Sequence, residues 1–310
     1  CFVYCSVFPK GFQFDILELV QLWMAQGYVQ PMGRKSAEDV GRNYFNELLN
    51  MSLIQSANDL HDQSAKYYVI HDLLHDLGRH ILHHDCYQIG PGQIQGIPED
   101  AHSKVHLTLA YEESLGEELE VLYRLRLSSL RTLSFCTSGS PYIQLPSNLF
   151  HKVKCLRVLD LSASSLDTLP DSIVSLKHLR YLDLGKTKIK CLPNSLCYLY
   201  KLETLKLGGC DELNMLPTAM SNLSNLHYLE VKHELVSKIV KIGKLIHLQK
   251  LEIFCVAEEN GNNIGALKNM NELRGKLCIQ NLQRVETRKE AMEASLKNKR
   301  YVTMLEMEWA

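Results

Sequence analysis

No run of apolar residues in this 310-residue chain approaches the roughly 20 needed to cross a bilayer, and no stretch reads as a secretory leader. Neither membrane insertion nor export is indicated. Charge of one sign is equally scarce: the formal net charge is −1 and 45% of the residues are hydrophobic, an ordinary balance for a soluble chain. The ten cysteines are scattered, with no Cys-x-x-Cys frame for zinc and no pair flanking a repeat array as a disulfide cap, which favours a reducing, cytoplasmic compartment. There is no phosphate-binding Gly-rich loop, no Gly-x-Ser-x-Gly elbow and no pair of carboxylates at a recognisable catalytic spacing, so this chain alone is expected to catalyse nothing. It begins at Cys1 rather than Met and reads from the first residue like the middle of a domain, so a fragment is expected.

What the chain does have is a repeat. Leu145-Pro146, Leu169-Pro170, Leu192-Pro193 and Leu216-Pro217 fall 24, 23 and 24 residues apart. Each is followed by a short run: Leu156-x-x-Leu159-x-Leu161, Leu179-x-x-Leu182-x-Leu184, Leu202-x-x-Leu205-x-Leu207 and Leu226-x-x-Leu229-x-Val231. A leucine-rich period of this length marks a solenoid, in which one repeat buries its apolar face only when a neighbour stacks on it. Less regular members extend the array: Leu130-x-x-Leu133-x-Phe135 before it, and Leu248-x-x-Leu251-x-Ile253, Leu277-x-Ile279 and Leu305-x-Met307 after it, with Val105-x-Leu107-x-Leu109 opening the stack. Ser164, Thr187 and Cys210 stand where such repeats usually carry Asn or Cys, and read as structural groups bonding backbone in the turn.

Residues 1–90 lack the repeat. Asp15-x-x-Glu18 resembles a capping box for a helix carrying Ile16, Leu19, Val20 and Trp23 and ending near Gly27, and Ser36 caps a second helix with Val40, Tyr44, Leu48 and Leu49. Leu53-Ile54-Gln55 and Tyr67-Tyr68-Val69-Ile70 then flank the polar stretch 56–66 as two strands and a long hairpin loop. Helix, helix and hairpin predict a winged helix. A further helix from Asp72 is expected to bury Leu73, Leu74, Leu77 and Ile81, and the Gly- and Pro-rich stretch around residues 90–98 breaks the pattern. The expected organisation is an α/β chain: a winged-helix domain at 1–90, a linker at 91–104 and leucine-rich repeats at 105–310.

Two segments carry a family resemblance. Cys1-Phe2-Val3-Tyr4-Cys5-Ser6-Val7-Phe8-Pro9, followed by Leu22-Trp23-Met24-Ala25-Gln26-Gly27, resembles the late part of the nucleotide-binding module in plant nucleotide-binding leucine-rich-repeat resistance proteins, in wording nearer the coiled-coil branch. Ile70-His71-Asp72 resembles that family's Met-His-Asp motif, with Ile in place of Met, and leads into Leu73-Leu74-His75-Asp76-Leu77. The resemblance implies a cytoplasmic immune receptor, switched between ADP- and ATP-bound forms, whose repeats sense a pathogen effector or a guarded host protein and trigger a defence response. It also implies that His71 approaches the diphosphate of ADP, with Asp72 supporting the motif, as an imidazole N–H suits a phosphate oxygen. The nucleotide belongs to the full-length protein, and none is expected to bind this fragment alone.

Other classes were weighed on the residues. A metal site built on His71 and His75, with His80, His83 and His84 nearby, lacks a third ligand of clear spacing, so no metal is assigned. A DNA-binding winged helix fits poorly, since residues 1–90 hold six Lys and Arg against ten Asp and Glu, a net of −4. A repeat scaffold or substrate adaptor without a switch is the remaining alternative. In the repeats, alternate strand residues are expected to point outward, and Tyr181, Asp183, Tyr228 and Glu230 are singled out as exposed partner-binding residues suited to a basic protein surface.

Overall fold

The structure, a computed structural model, describes residues 1–33, 35–57, 67–90, 104–111, 122, 127–137, 143, 145–146 and 148–309. Most of the expected hairpin loop and the expected linker, apart from residue 104, lie outside that set. Two compact units result, Cys1–Asp160 and Leu161–Ala310. Among the described residues no helix is long and apolar enough to cross a membrane.

The first unit opens with a 3₁₀ helix, Phe2–Val7, and continues into α1 (Ile16–Gln26) and α2 (Ala37–Asn50). Asp15 caps α1 by accepting from the Leu17 and Glu18 amides at 2.7 and 3.2 Å, and Gly27 ends it in the left-handed conformation at φ +82°. Ser36 and Asp39 form a reciprocal capping box on α2. The two helices approach closely at Gly41, where an added Cβ would come within 2.6 Å of Val20 Cγ1. Strands β1 (Ile54–Ala57) and β2 (Tyr67–Ile70) pair antiparallel with Ile54 opposite Ile70. The winged helix read from the sequence is therefore present.

Helix α3 (Asp72–Ile81) corrects the expected burial. Leu73, Leu77 and Ile81 are 73%, 49% and 56% exposed, whereas His75 and Gly78 are buried. The reason lies in what packs beneath: α3 rests on the opening 3₁₀ helix, where any Cβ at position 78 would overlap Ser6 Oγ. Only the glycine face permits so close an approach. The His75 Nε2–H then donates to the Phe8 carbonyl at 2.9 Å, which secures the polar face inward and leaves the apolar ridge outward.

The parallel ladder begins one strand before the leucine pattern does. β3 (Cys86–Ile89) pairs with β4 (His106–Tyr111), β4 with β5 (Thr132–Thr137), and β5 with β6 (Val158–Asp160). The expected opening strand at 105–109 is thus the second. Its predecessor carries no leucine and was invisible to a leucine template. A buried polar knot joins these strands to the winged helix inside the same unit. Thr132 Oγ1 takes the Gln26 amide at 2.8 Å and lies 3.1 Å from the Tyr4 hydroxyl and 2.9 Å from His106 Nδ1. With one hydrogen and two lone pairs, the Thr132 hydroxyl can satisfy all three neighbours at once, accepting from the Gln26 amide as one of them. Arg157, just before β6, reaches the Gln26 carbonyl at the end of α1, a cation at a helix C-terminus.

In the second unit β7 (Tyr181–Asp183), β8 (Thr204–Lys206) and β9 (Tyr228–Glu230) form one parallel ladder, and β10 (Ile253–Cys255), β11 (Arg274–Gln280) and β12 (Tyr301–Met307) another. Leu182, Leu205 and Leu229 stack in register and point inward. The Leu-Pro pairs mark the far side of each repeat: Pro170 and Pro193 precede 3₁₀ turns at Asp171–Ser175 and Asn194–Tyr198, with φ −63° and −68° already in the range their rings impose. The turn residues behave as expected. Ser164 and Thr187 hydroxyls donate to the Leu161 and Leu184 carbonyls at 2.6 and 2.7 Å, and the Cys210 thiol donates to Leu184 at 3.0 Å.

Two outcomes test this packing. Leu159, Leu182 or Leu205 replaced by Ala is expected to lose about 2 to 5 kcal/mol of stability, read from denaturant midpoints. His106 supplies the second, because burial pushes its imidazole down to about 4 from an ordinary 6.5. Below pH 6.5 the unfolded chain gains a proton that the folded chain refuses, so stability falls as pH drops toward 4. His106→Gln should flatten that part of the stability profile, measured as the difference between denaturation curves of variant and parent at about pH 7 and about pH 5.

Candidate functional site

His71 sits at the junction where β2 turns into α3, and the chemistry of a helix start fixes its state. Its Nδ1 accepts from the Leu73 amide at 3.2 Å, the capping position. A ring that accepts at Nδ1 carries its proton on Nε2, so the side chain offers one N–H donor from an exposed position. Asp72 begins α3 beside it and is 67% exposed at the side chain, and Lys10 Nζ lies 3.7 Å from its carboxylate and 3.0 Å from Asp76. The Lys10 hydrogen bond holds Asp76 below the usual carboxylate range. Sequence reasoning missed Lys10. Its one signal was its place directly after Pro9 in the opening motif.

His71 and His75 do not act together, since one is exposed at the cap and the other is buried against Phe8. Along α3 itself, Leu73, Leu77 and Ile81 form an exposed apolar stripe spaced four residues apart.

The second candidate surface, on the strands of the repeats, needs correction. Tyr181 is 1% exposed, Asp183 7% and Tyr228 8%, so three of the four residues expected to be exposed are buried. Only Glu230 is exposed. Neighbouring strands lie about 4.8 Å apart, and side chains of that size cover one another. The Tyr181 hydroxyl donates to Asp183 Oδ2 at 3.2 Å, Lys206 Nζ lies 5.5 Å over the Tyr181 ring and 3.6 Å from Asp183, and the Gly185 amide donates to Asp183 Oδ1 at 2.8 Å. Tyr228 likewise donates to Gln249 Oε1 at 2.8 Å. Solvent meets Glu230, Lys250 and Glu252 instead, with Lys250 Nζ 2.8 Å from Glu252 and His233 Nε2 3.3 Å from it.

Comparison with known proteins accords with this architecture. Residues 7–78 match the disease resistance protein winged helix domain, and residues 130–309 match the leucine-rich repeat region. The chain belongs to the plant disease resistance proteins that join these two parts. RGA4 of Solanum bulbocastanum is 37% identical over 311 residues, covering all of this chain and 28% of that protein. Disease resistance protein RGA2 of the same species is 33% identical over 311 residues, with 100% and 29% covered. Disease resistance protein RPM1 of Arabidopsis thaliana is 28% identical over 181 residues, with 57% and 18% covered. The chain thus spans less than a third of these relatives' length. Among solved structures, the crystal structure of a TDR receptor aligns at 17% identity with a TM-score of 0.46, covering 71% of this chain and 41% of that one.

The strand face yields a ranking for mutagenesis. Asp183→Ser removes the acceptor of two hydrogen bonds in a buried position and is expected to lose about 1 to 3 kcal/mol. Glu230→Ser should stay within about 0.5 kcal/mol of the parent. Thermal melts of the two variants check the order, and a more damaging Glu230→Ser would overturn the burial described for this face.

Proposed function

We propose that this chain is the switch-and-sensor portion of an intracellular plant immune receptor, in which the winged helix restrains a nucleotide-binding domain and the repeats engage a protein ligand. The observations that carry this reading are two exposed features of α3, the His71 N–H donor at its start and the ridge of Leu73, Leu77 and Ile81 along its length. A fixed N–H donor suits a diphosphate oxygen, and an exposed apolar stripe suits a domain contact. In the full-length protein His71 contacts bound ADP, Asp72 and its Lys10 partner keep the start of α3 in position, and the ridge packs against the upstream nucleotide-binding domain. Exchange of ADP for ATP releases both contacts. The fragment itself binds rather than catalyses.

For the repeats, the exposed Glu230 and the half-buried Glu252 take the place of the buried tyrosines as the contact set for a basic surface on a pathogen effector or guarded host protein, with Tyr181 and Tyr228 serving as the rigid layer beneath. Charges at such a rim govern encounter more than residence.

In the full-length receptor expressed in leaf tissue, His71→Ala and Asp72→Val are expected to shift the population toward the active state and cause cell death without an effector, with less ADP recovered from the purified protein. If both variants stay silent at wild-type abundance, the assignment of this motif is wrong. Glu230→Lys combined with Glu252→Lys should abolish recognition of the cognate effector while leaving the melt unchanged. Retained recognition would move the contact surface elsewhere on the repeats.

A further inference from the structure

Three successive repeats of the second unit bring two imidazoles and a carboxylate together at the start of their strands. The rings of His227 and His247 stack with centroids 5.6 Å apart and planes 25° from parallel. His247 Nδ1 lies 2.9 Å from Glu272 Oε1. One ligand atom from each of the three residues falls within 4.8 Å of the other two, and all three side chains are half-buried. The scaffold beneath is a backbone ladder: the His227 amide donates to the Glu203 carbonyl at 2.8 Å, the Gln249 amide to His227 at 2.9 Å, and the Arg274 amide to Gln249 at 2.8 Å. His247 and Glu272 each stand two residues before a rung of that ladder, so the same offset in consecutive repeats places them side by side.

We propose that His227, His247 and Glu272 bind a zinc-class transition-metal ion that ties these three repeats together. Two imidazole nitrogens and one carboxylate oxygen form the donor set of open zinc sites, which leave a fourth position to water or to a group from a bound partner. Tetrahedral bonds of about 2.1 Å put neighbouring donors about 3.4 Å apart, between the closest approach seen here and the outer limit of the cluster, so small side-chain rotations bring the ligands into place. The ion takes over the position of the hydrogen between His247 Nδ1 and Glu272, and the neutral imidazole carries its proton on Nε2 instead. Hard cations such as magnesium prefer all-oxygen surroundings and are rejected. The ligands come from three different repeats, 20 and 25 residues apart, which is why no contiguous motif announces them.

The test is calorimetric titration of the untagged 310-residue chain with Zn²⁺, and with Mg²⁺ as control. One Zn²⁺ per chain and no Mg²⁺ response are expected, and His227→Gln or His247→Gln should weaken Zn²⁺ binding at least tenfold, with circular dichroism unchanged. His83→Gln with His84→Gln, which removes a pair of sequence-adjacent histidines from the other unit, should leave the affinity unaltered. Unchanged Zn²⁺ affinity in the His227→Gln, His247→Gln double variant overturns the proposal, as does loss of binding on removing His83 and His84. Should the glutamine variants fail to fold, Co²⁺ substitution of the parent chain decides: a tetrahedral visible spectrum is expected, and an octahedral one overturns the site.

Discussion

A leucine in one repeat has no core until the next repeat arrives, and nearly everything else in the chain follows from that dependence. Leu182, Leu205 and Leu229 occupy matching positions in adjacent strands, so each is buried mainly by its counterparts rather than by its own repeat. The Leu-Pro pairs, the 3₁₀ turns and the hydroxyl or thiol at the inner turn all serve to return the chain to the next strand in register. Leu305 and Met307 of β12 stand in register with Leu277 and Ile279 of β11.

The inward set of the repeats was legible because burial there repeats with the sequence. Ser164 and Thr187 were legible for the same reason, each answering the carbonyl three residues back in its own turn, while the Cys210 thiol joins Thr187 at the Leu184 carbonyl of the preceding repeat. The exposure of Tyr181 and Tyr228 was not, because alternation along a strand says which side a residue takes and nothing about what lies beside it. Lys206 and Gln249 decide that, and they come from neighbouring repeats. Helix α3 misled for a related reason. Its leucines have helical spacing, but the side that faces inward was chosen by the close approach at Gly78 and by the His75 bond to Phe8, two contacts with a segment some seventy residues earlier.

The family motif was readable as wording well before its geometry was known. What the structure adds is the physical state of its histidine: a helix cap whose acceptor nitrogen is engaged and whose proton therefore stands on the other side of the ring. Lys10 joins the same neighbourhood from the opening segment, bridging toward Asp72 and Asp76. The cap is local, made with an amide two residues on, whereas the Lys10 contact depends on a partner brought in by tertiary structure.

The knot at Thr132 has a bearing on how such chains can be recombined. Tyr4, Gln26, His106 and Thr132 are drawn from four separate stretches of sequence but satisfy one another in a single dry cluster. A chimera cut at residue 90 or 105, where composition suggests a seam, would leave Thr132 with His106 and separate it from the Gln26 amide and the Tyr4 hydroxyl. A cut after Asp160 keeps all four together. Within this unit the winged helix and the first strands of the ladder share one buried polar cluster, so they would have to be moved as a single piece.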